Sequence, residues 1–86
     1  MTDHRSIRDD LKHFGDITEL YEVKTFIGHR KSKMVTVRIL DLGPECDNPL
    51  IRFTCEAEQE DGKEARGNNA QTVDVAIANV HWTDLD

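Results

Sequence analysis

The chain has 86 residues and a formal net charge of -6, from 11 Lys+Arg against 17 Asp+Glu. Charged residues make up 33% of it, hydrophobic residues 37%, and Phe, Trp and Tyr only 6%. A single domain, 1–86, is the ceiling: a chain this short buries about 60% of its unfolded surface. That excludes a two-domain enzyme, a dinucleotide-binding unit with a substrate domain, and any barrel.

The longest unbroken apolar run is Val75-Ala76-Ile77-Ala78, against the ~20 residues of a membrane-spanning helix. The start, Met1-Thr2-Asp3-His4-Arg5, lacks the apolar centre of a signal peptide. Cys46 and Cys55 cannot build a disulfide framework, and their spacing matches no zinc pattern. Two free thiols in a reducing compartment are expected, so the cytoplasm is the expected location. The charge is unevenly divided. Residues 1–38 carry eight Lys/Arg and six Asp/Glu, whereas residues 39–86 carry three and eleven, balances of +2 and -8.

In chain order, residues 3–14 read as a short helix. Asp3 or Ser6 could cap it, and Ile7, Leu11 and Phe14 recur on one face. Gly15 would end it in the left-handed conformation. Residues 17–27 shift towards period two, with Tyr21, Val23, Thr25 and Ile27 alternating against Glu22 and Lys24, and Phe26 out of pattern. Gly28-His29-Arg30-Lys31-Ser32 reads as a loop. Residues 33–42 form a strong strand, with Val35, Val37 and Ile39 on one face and Met34, Thr36, Arg38 and Leu40 on the other.

Gly43-Pro44 opens a second loop that runs to Pro49. Ile51, Phe53, Cys55 and Ala57 then alternate with Arg52, Thr54, Glu56 and Glu58, one face buried and one wet. Glu60-Asp61-Gly62 closes a hairpin. With Gly62 left-handed, Ala57 opposes Ala65 on the buried face and Glu56 opposes Arg66 on the wet one. Asn68 and Asn69 offer caps, and residues 71–82 are expected as a helix. The order is α-β-β-β-β-α. It predicts an α+β fold, a single antiparallel sheet of three to four strands with an N-terminal and a C-terminal helix on one face. About four residues at the start and two at the end are expected to fray.

Continued to its end, the last helix would have two apolar faces. Val73, Ala76, Ile77 and Val80 fall together and should lie on the sheet. Val75, Ala78, Trp82 and Leu85 cluster almost opposite, where a small domain normally places polar residues. Three covers can be named for them: the N-terminal helix, a second copy of the chain in a two-fold dimer, or a different protein. Trp82 is the expected anchor of such a contact.

The Gly43-Pro44 loop, the strand with Phe53, the Asp61-Gly62 hairpin, the short strand reaching Gly67 and the Ala-containing helix resemble the double-stranded RNA-binding domain over residues 33–85. The resemblance is one of topology, and it implies that family's fold. The family places phosphate-facing lysines at the start of its last helix, where this chain has Val73, Asp74 and Ile77. The family's His after Gly-Pro falls at Cys46. Without those cations, double-stranded RNA is not an expected ligand. The strand within residues 17–27 lies outside the family pattern.

The remaining candidates are surface clusters. His29, Arg30, Lys31 and Lys33, in the basic loop 28–33, could serve as a divergent nucleic-acid- or phosphate-binding module, though three cations fall short of the usual basic face with stacking aromatics. Glu45, Asp47, Glu56, Glu58, Glu60, Asp61 and Glu64 could dock on a basic partner, as acidic inhibitors do. No pair among His4, His13, His29 and His81 has ligand spacing within one element, and no catalytic motif is present. No metal, cofactor or enzymatic activity is expected. The sequence points instead to a small interaction domain, in contact with a protein partner or a second copy through Val75, Ala78, Trp82 and Leu85.

Overall fold

A computed structural model describes residues 4–86, with side chains from Ile7 onward. Helix α1 (His4–Phe14) precedes strands β1 (Glu22–Arg30), β2 (Lys33–Asp41), β3 (Phe53–Gln59) and β4 (Glu64–Arg66), and helix α2 (Val73–Ala78) follows them. Short 3-10 turns occupy Pro49–Ile51 and Trp82–Leu85. The strands pair antiparallel in the order β1-β2-β3-β4, one open sheet. This is the α+β class that the alternation implies. The cap at Asp3 and fraying over the first three residues lie outside the described residues.

The central register follows from matching small and branched side chains across β2 and β3. Val37 opposes Ala57 and Ile39 opposes Cys55, all on the core face. Ala57 faces Ala65 and Glu56 faces Arg66, as the turn chemistry requires, with Gly62 left-handed at φ 93°. On this face α2 packs against β3, and the Trp82–Leu85 turn packs against β4. The core between them is small: Val35, Ile39, Val80 and Leu85 are its largest members, and the rest are Ala and Cys55.

Three local expectations are corrected. Residues 28–30 belong to β1, and the loop shrinks to Lys31-Ser32, both left-handed at φ 51° and 68°. That is the two-residue hairpin turn whose backbone twist matches the strands; neither residue is the Asn or Gly that normally announces it. Gly15 ends α1 by donating its N–H to the Leu11 carbonyl at 3.0 Å, but the left-handed residue is Asp16, at φ 51°.

The third correction concerns the last helix, which stops at Ala78 rather than reaching residue 82. The His81 N–H goes to the Arg66 carbonyl of β4 at 3.0 Å, so the sheet edge captures the chain before another helical turn can form. His81 adopts φ -82°, ψ 72°, an inverse γ-turn closed by Trp82 N–H to the Val80 carbonyl at 2.9 Å. Leu85 is thereby driven into the core, 1% exposed. Leu85 and Asp86, where fraying is expected, are both held: Gln59 Nε2 donates to the Leu85 carbonyl, and Asp86 accepts from Arg30 and Lys31.

Among the described residues, one side chain, Arg8, holds helix α1 to the sheet end. The Arg8 guanidinium donates to the carbonyls of Leu20, Leu42 and Asp41 at 3.1, 3.0 and 2.7 Å. Gly43, at φ 98°, lets it lie close: a Cβ there would stand 3.0 Å from Arg8 Cζ. Ile7 and Leu11 line a shallow cleft with Leu20 and Tyr21, and Phe14 stays 79% exposed. We expect Arg8→Met to lower amide-exchange protection of α1 by about tenfold or more while β2 and β3 keep theirs. Equal loss everywhere would show that α1 is not held this way.

The close approach of two backbones sets the path of the C-terminal segment. A Cβ on Gly67 would meet the Asn79 carbonyl carbon and oxygen at 2.4 Å and the Val80 nitrogen at 2.6 Å. Gly67→Ala must push the Asn79–Val80 segment off β4, and a loss of about 1–3 kcal/mol in urea unfolding is expected. An unchanged midpoint would contradict that packing.

Candidate protein interface

The four residues expected to share an outer helical face are separated by the early end of α2. Val75 and Ala78 remain exposed on the helix. Trp82 is half-buried against the core, and its indole Nε1 donates to the Ile77 carbonyl at 3.2 Å, which also accepts the Val80 N–H at 3.2 Å. Leu85 is internal. The cover on Trp82 is therefore the chain's own core. Helix α1 is tied to the Asp41 end of the β1–β2 hairpin, whereas the Trp82–Leu85 segment reaches its Arg30–Lys31 end.

The basic segment is neutralised by the acidic half of the chain. Arg30 and Lys31 meet Asp86 Oδ1 at 2.6 and 2.7 Å, and Lys33 meets Asp61 Oδ2 at 3.1 Å. Hydrogen bonds from Lys31 and Arg30 hold the Asp86 carboxyl down at about 2. The Lys63 N–H, the Gln59 amide and Lys33 hold Asp61 at about 2 as well. These cations hold carboxylates, and an anion would have to displace them. His29 stays exposed beside them.

The acidic cluster is likewise interleaved. Arg38 lies 3.8 Å from Glu56 and 3.7 Å from Glu58, and Arg66 lies 3.5 Å from Glu56. Glu58 stands opposite Glu64 in the register, a like-charge pair that weakens the short β4 edge.

A polar cleft of about 410 Å³ between α1 and the sheet end has no signature in the sequence. Arg8, Lys12 and Arg52 line it together with Asp9, Glu22, Asp41 and Glu45. Its centre is Asp41, which receives Arg52 Nε and NH2 at 2.8 and 3.1 Å and the Gly43 N–H at 2.7 Å. Burial pushes the Asp41 carboxyl up, but the Arg52 and Gly43 hydrogen bonds and the Arg52 and Arg8 charges outweigh it and hold it below its ordinary value. Such a group is no proton donor near neutrality. Among the described residues, no group of three His, Cys, Asp or Glu is placed to hold a metal ion.

The apolar surface around β1 was not singled out by the sequence pattern. Phe26 opposes Val37 on the core face, yet α2 reaches β3 rather than β1, and Phe26 is left 57% exposed. Val23 and Ile27 point to the other face and are 49% and 68% exposed. The signal that could have found them is the very feature that looked irregular: Phe26-Ile27 places apolar side chains on both faces of one strand.

No protein-family model, no curated protein and no solved structure matches the chain. Among the described residues, the chain is a four-stranded antiparallel sheet with a helix at either end and apolar side chains exposed along β1.

The Asp41 network makes stability depend on pH. Because its folded carboxyl lies below the ordinary 3.8, its contribution is full above that value and is lost as pH falls through the lower folded value. Asp41→Asn should destabilise by about 1–3 kcal/mol at neutral pH, and thermal melts of the two proteins should converge in acid. A gap that stays constant down to the acid limit would contradict this role.

Proposed function

We propose that the chain is a non-enzymatic protein-interaction domain that associates through the apolar side chains its own core leaves outside. One observation carries this reading. The largest side chains buried outright are Leu85 and Cys55, while Phe14, Phe26, Ile27 and Val23 stand in solvent. Large apolar side chains exposed on both faces of an open edge strand mark a contact site more often than an ornament of the fold. The contact surface runs along β1, with Val75 and Ala78 of α2 available beside the helix layer.

The likeness of residues 33–85 to the double-stranded RNA-binding domain belongs to this reading as a likeness of topology, used for protein contact. Arg30, Lys31 and Lys33 are engaged by Asp86 and Asp61, which favours an apolar contact over a phosphate-binding one. Cys46 and Cys55 are free thiols, in keeping with a reducing, cytoplasmic setting.

Salt separates an apolar contact from a charged one. Sedimentation of the purified chain and affinity capture on it should be run at about 50 mM and about 500 mM salt. A complex that holds or strengthens at high salt, with itself or with another protein, is expected. A chain that stays monomeric and retains only partners that leave as salt rises would overturn the reading.

A further inference from the structure

Resting on that reading, we infer that the partner is a second copy of this chain, joined edge to edge through β1 into a continuous eight-stranded sheet. The two edges of the sheet differ sharply. The β4 edge is three residues long, whereas β1 runs nine residues without a proline. This edge exposes Val23, Phe26 and Ile27 beside the charged Lys24, and a long open edge is what monomeric proteins avoid.

Hairpin geometry says which groups that edge offers. The two-residue turn makes Arg30 and Lys33 a hydrogen-bonded pair. Glu22, Lys24, Phe26, Gly28 and Arg30 therefore direct N–H and C=O at β2. Val23, Thr25, Ile27 and His29 aim theirs outward.

An antiparallel pairing of β1 with itself must bring outward residues opposite outward residues. A two-fold axis at Phe26, the midpoint of the strand, does so along its whole length. Thr25 then exchanges hydrogen bonds with Ile27 of the second copy, and Val23 with His29. Phe26 meets its own counterpart on the core face. At both ends Glu22 stands opposite Arg30 of the other copy, opposite charges in register, with Arg30 still holding Asp86 of its own chain. Moving the axis to Ile27 would set Lys24 against Arg30, two cations. Moving it to Thr25 would leave residues 29 and 30 unpaired.

Gly28 supports this register independently. It sits inside a strand with no positive φ, and nothing lies within 4 Å of where its Cβ would be, so neither turn nor packing within one copy requires glycine there. Glycine in a strand interior often marks the approach of another chain. In the paired sheet it stands opposite Lys24 of the second copy, whose aliphatic stem can lie across it beside the two Phe26 rings.

Three measurements test the pairing, each with far-ultraviolet circular dichroism as a check on folding. Wild type should be a dimer by light scattering at about 100 μM, a concentration that reveals micromolar association. Ile27→Pro removes an outward N–H and leaves the β2-directed bonds intact, so the dimer dissociation constant should rise about a hundredfold. In a Cys46→Ser background, Phe26→Cys should form an intermolecular disulfide under mild oxidation. Ile27→Cys should cross-link far less, because its counterpart lies diagonally, about 7–8 Å away.

A monomeric wild type overturns the pairing, and the salt experiment then decides whether another protein takes its place. A dimer that survives Ile27→Pro and gives no Phe26→Cys disulfide overturns the β1 edge as its seat but leaves the interaction reading standing. If Ile27→Pro fails to fold, the contrast between the two cysteine variants decides alone.

Discussion

Leu85 closes the core, and its burial dictates how the rest of the domain is arranged. To reach the interior behind β4, the chain must leave the helical path after Ala78, and the Arg66 carbonyl supplies the alternative partner for the His81 N–H. Gly67 allows the two backbones to approach. Gln59, itself buried, then holds the Leu85 carbonyl through its side-chain amide. A side chain placed in the last turn of the sequence thus shortens a helix, turns Trp82 inward and commits the helical layer to the β3–β4 side.

That commitment leaves the other half of the sheet with little to cover it. A six-residue helix and one 3-10 turn span two strands; β1 lies beyond them. Helix α1 does not supply the missing layer, because its docking is polar. Arg8 satisfies three carbonyls at the sheet end, while Ile7, Leu11 and Phe14 remain exposed. The charge division along the sequence is resolved in space. Carboxylates of the acidic half, Asp86 and Asp61, reach the cations around the β1–β2 turn, so the basic segment works as a clamp on the C-terminal segment.

The parts legible in the sequence are those decided by local chemistry. Period-two alternation places β2 and β3 and identifies their inner faces, and a glycine able to adopt positive φ sets the β3–β4 register. The early end of α2 was invisible because helical periodicity continues through Trp82 and Leu85. What breaks it is a carbonyl on β4, some fifteen residues earlier in the chain. Likewise Gly28-His29-Arg30 looks like a loop by composition, and becomes strand because β2 pairs with all of it. The Arg8–Asp41–Arg52 arrangement needs contacts across more than thirty positions, beyond the reach of any local pattern.

The same reasoning explains why association, rather than chemistry or phosphate recognition, is the consistent reading. A domain of this size has little apolar surface to forgo, since small cores are marginal before any is left exposed. Here the interior is built largely from Ala and Cys55, while two of the three Phe side chains are exposed, one at the end of α1 and one on β1. Among the described residues, many charged groups pair with one another, Arg30 and Lys31 with Asp86 at the hairpin, Arg38 and Arg66 with Glu56 across the sheet, and Arg52 with Asp41 in the cleft. The unsatisfied feature is apolar area on an open strand edge. Covering it requires both main-chain pairing and side-chain burial, and another strand supplies both at once. Because the midpoint of β1 carries Phe26 and its ends carry opposite charges, the strand is complementary to itself in the antiparallel sense.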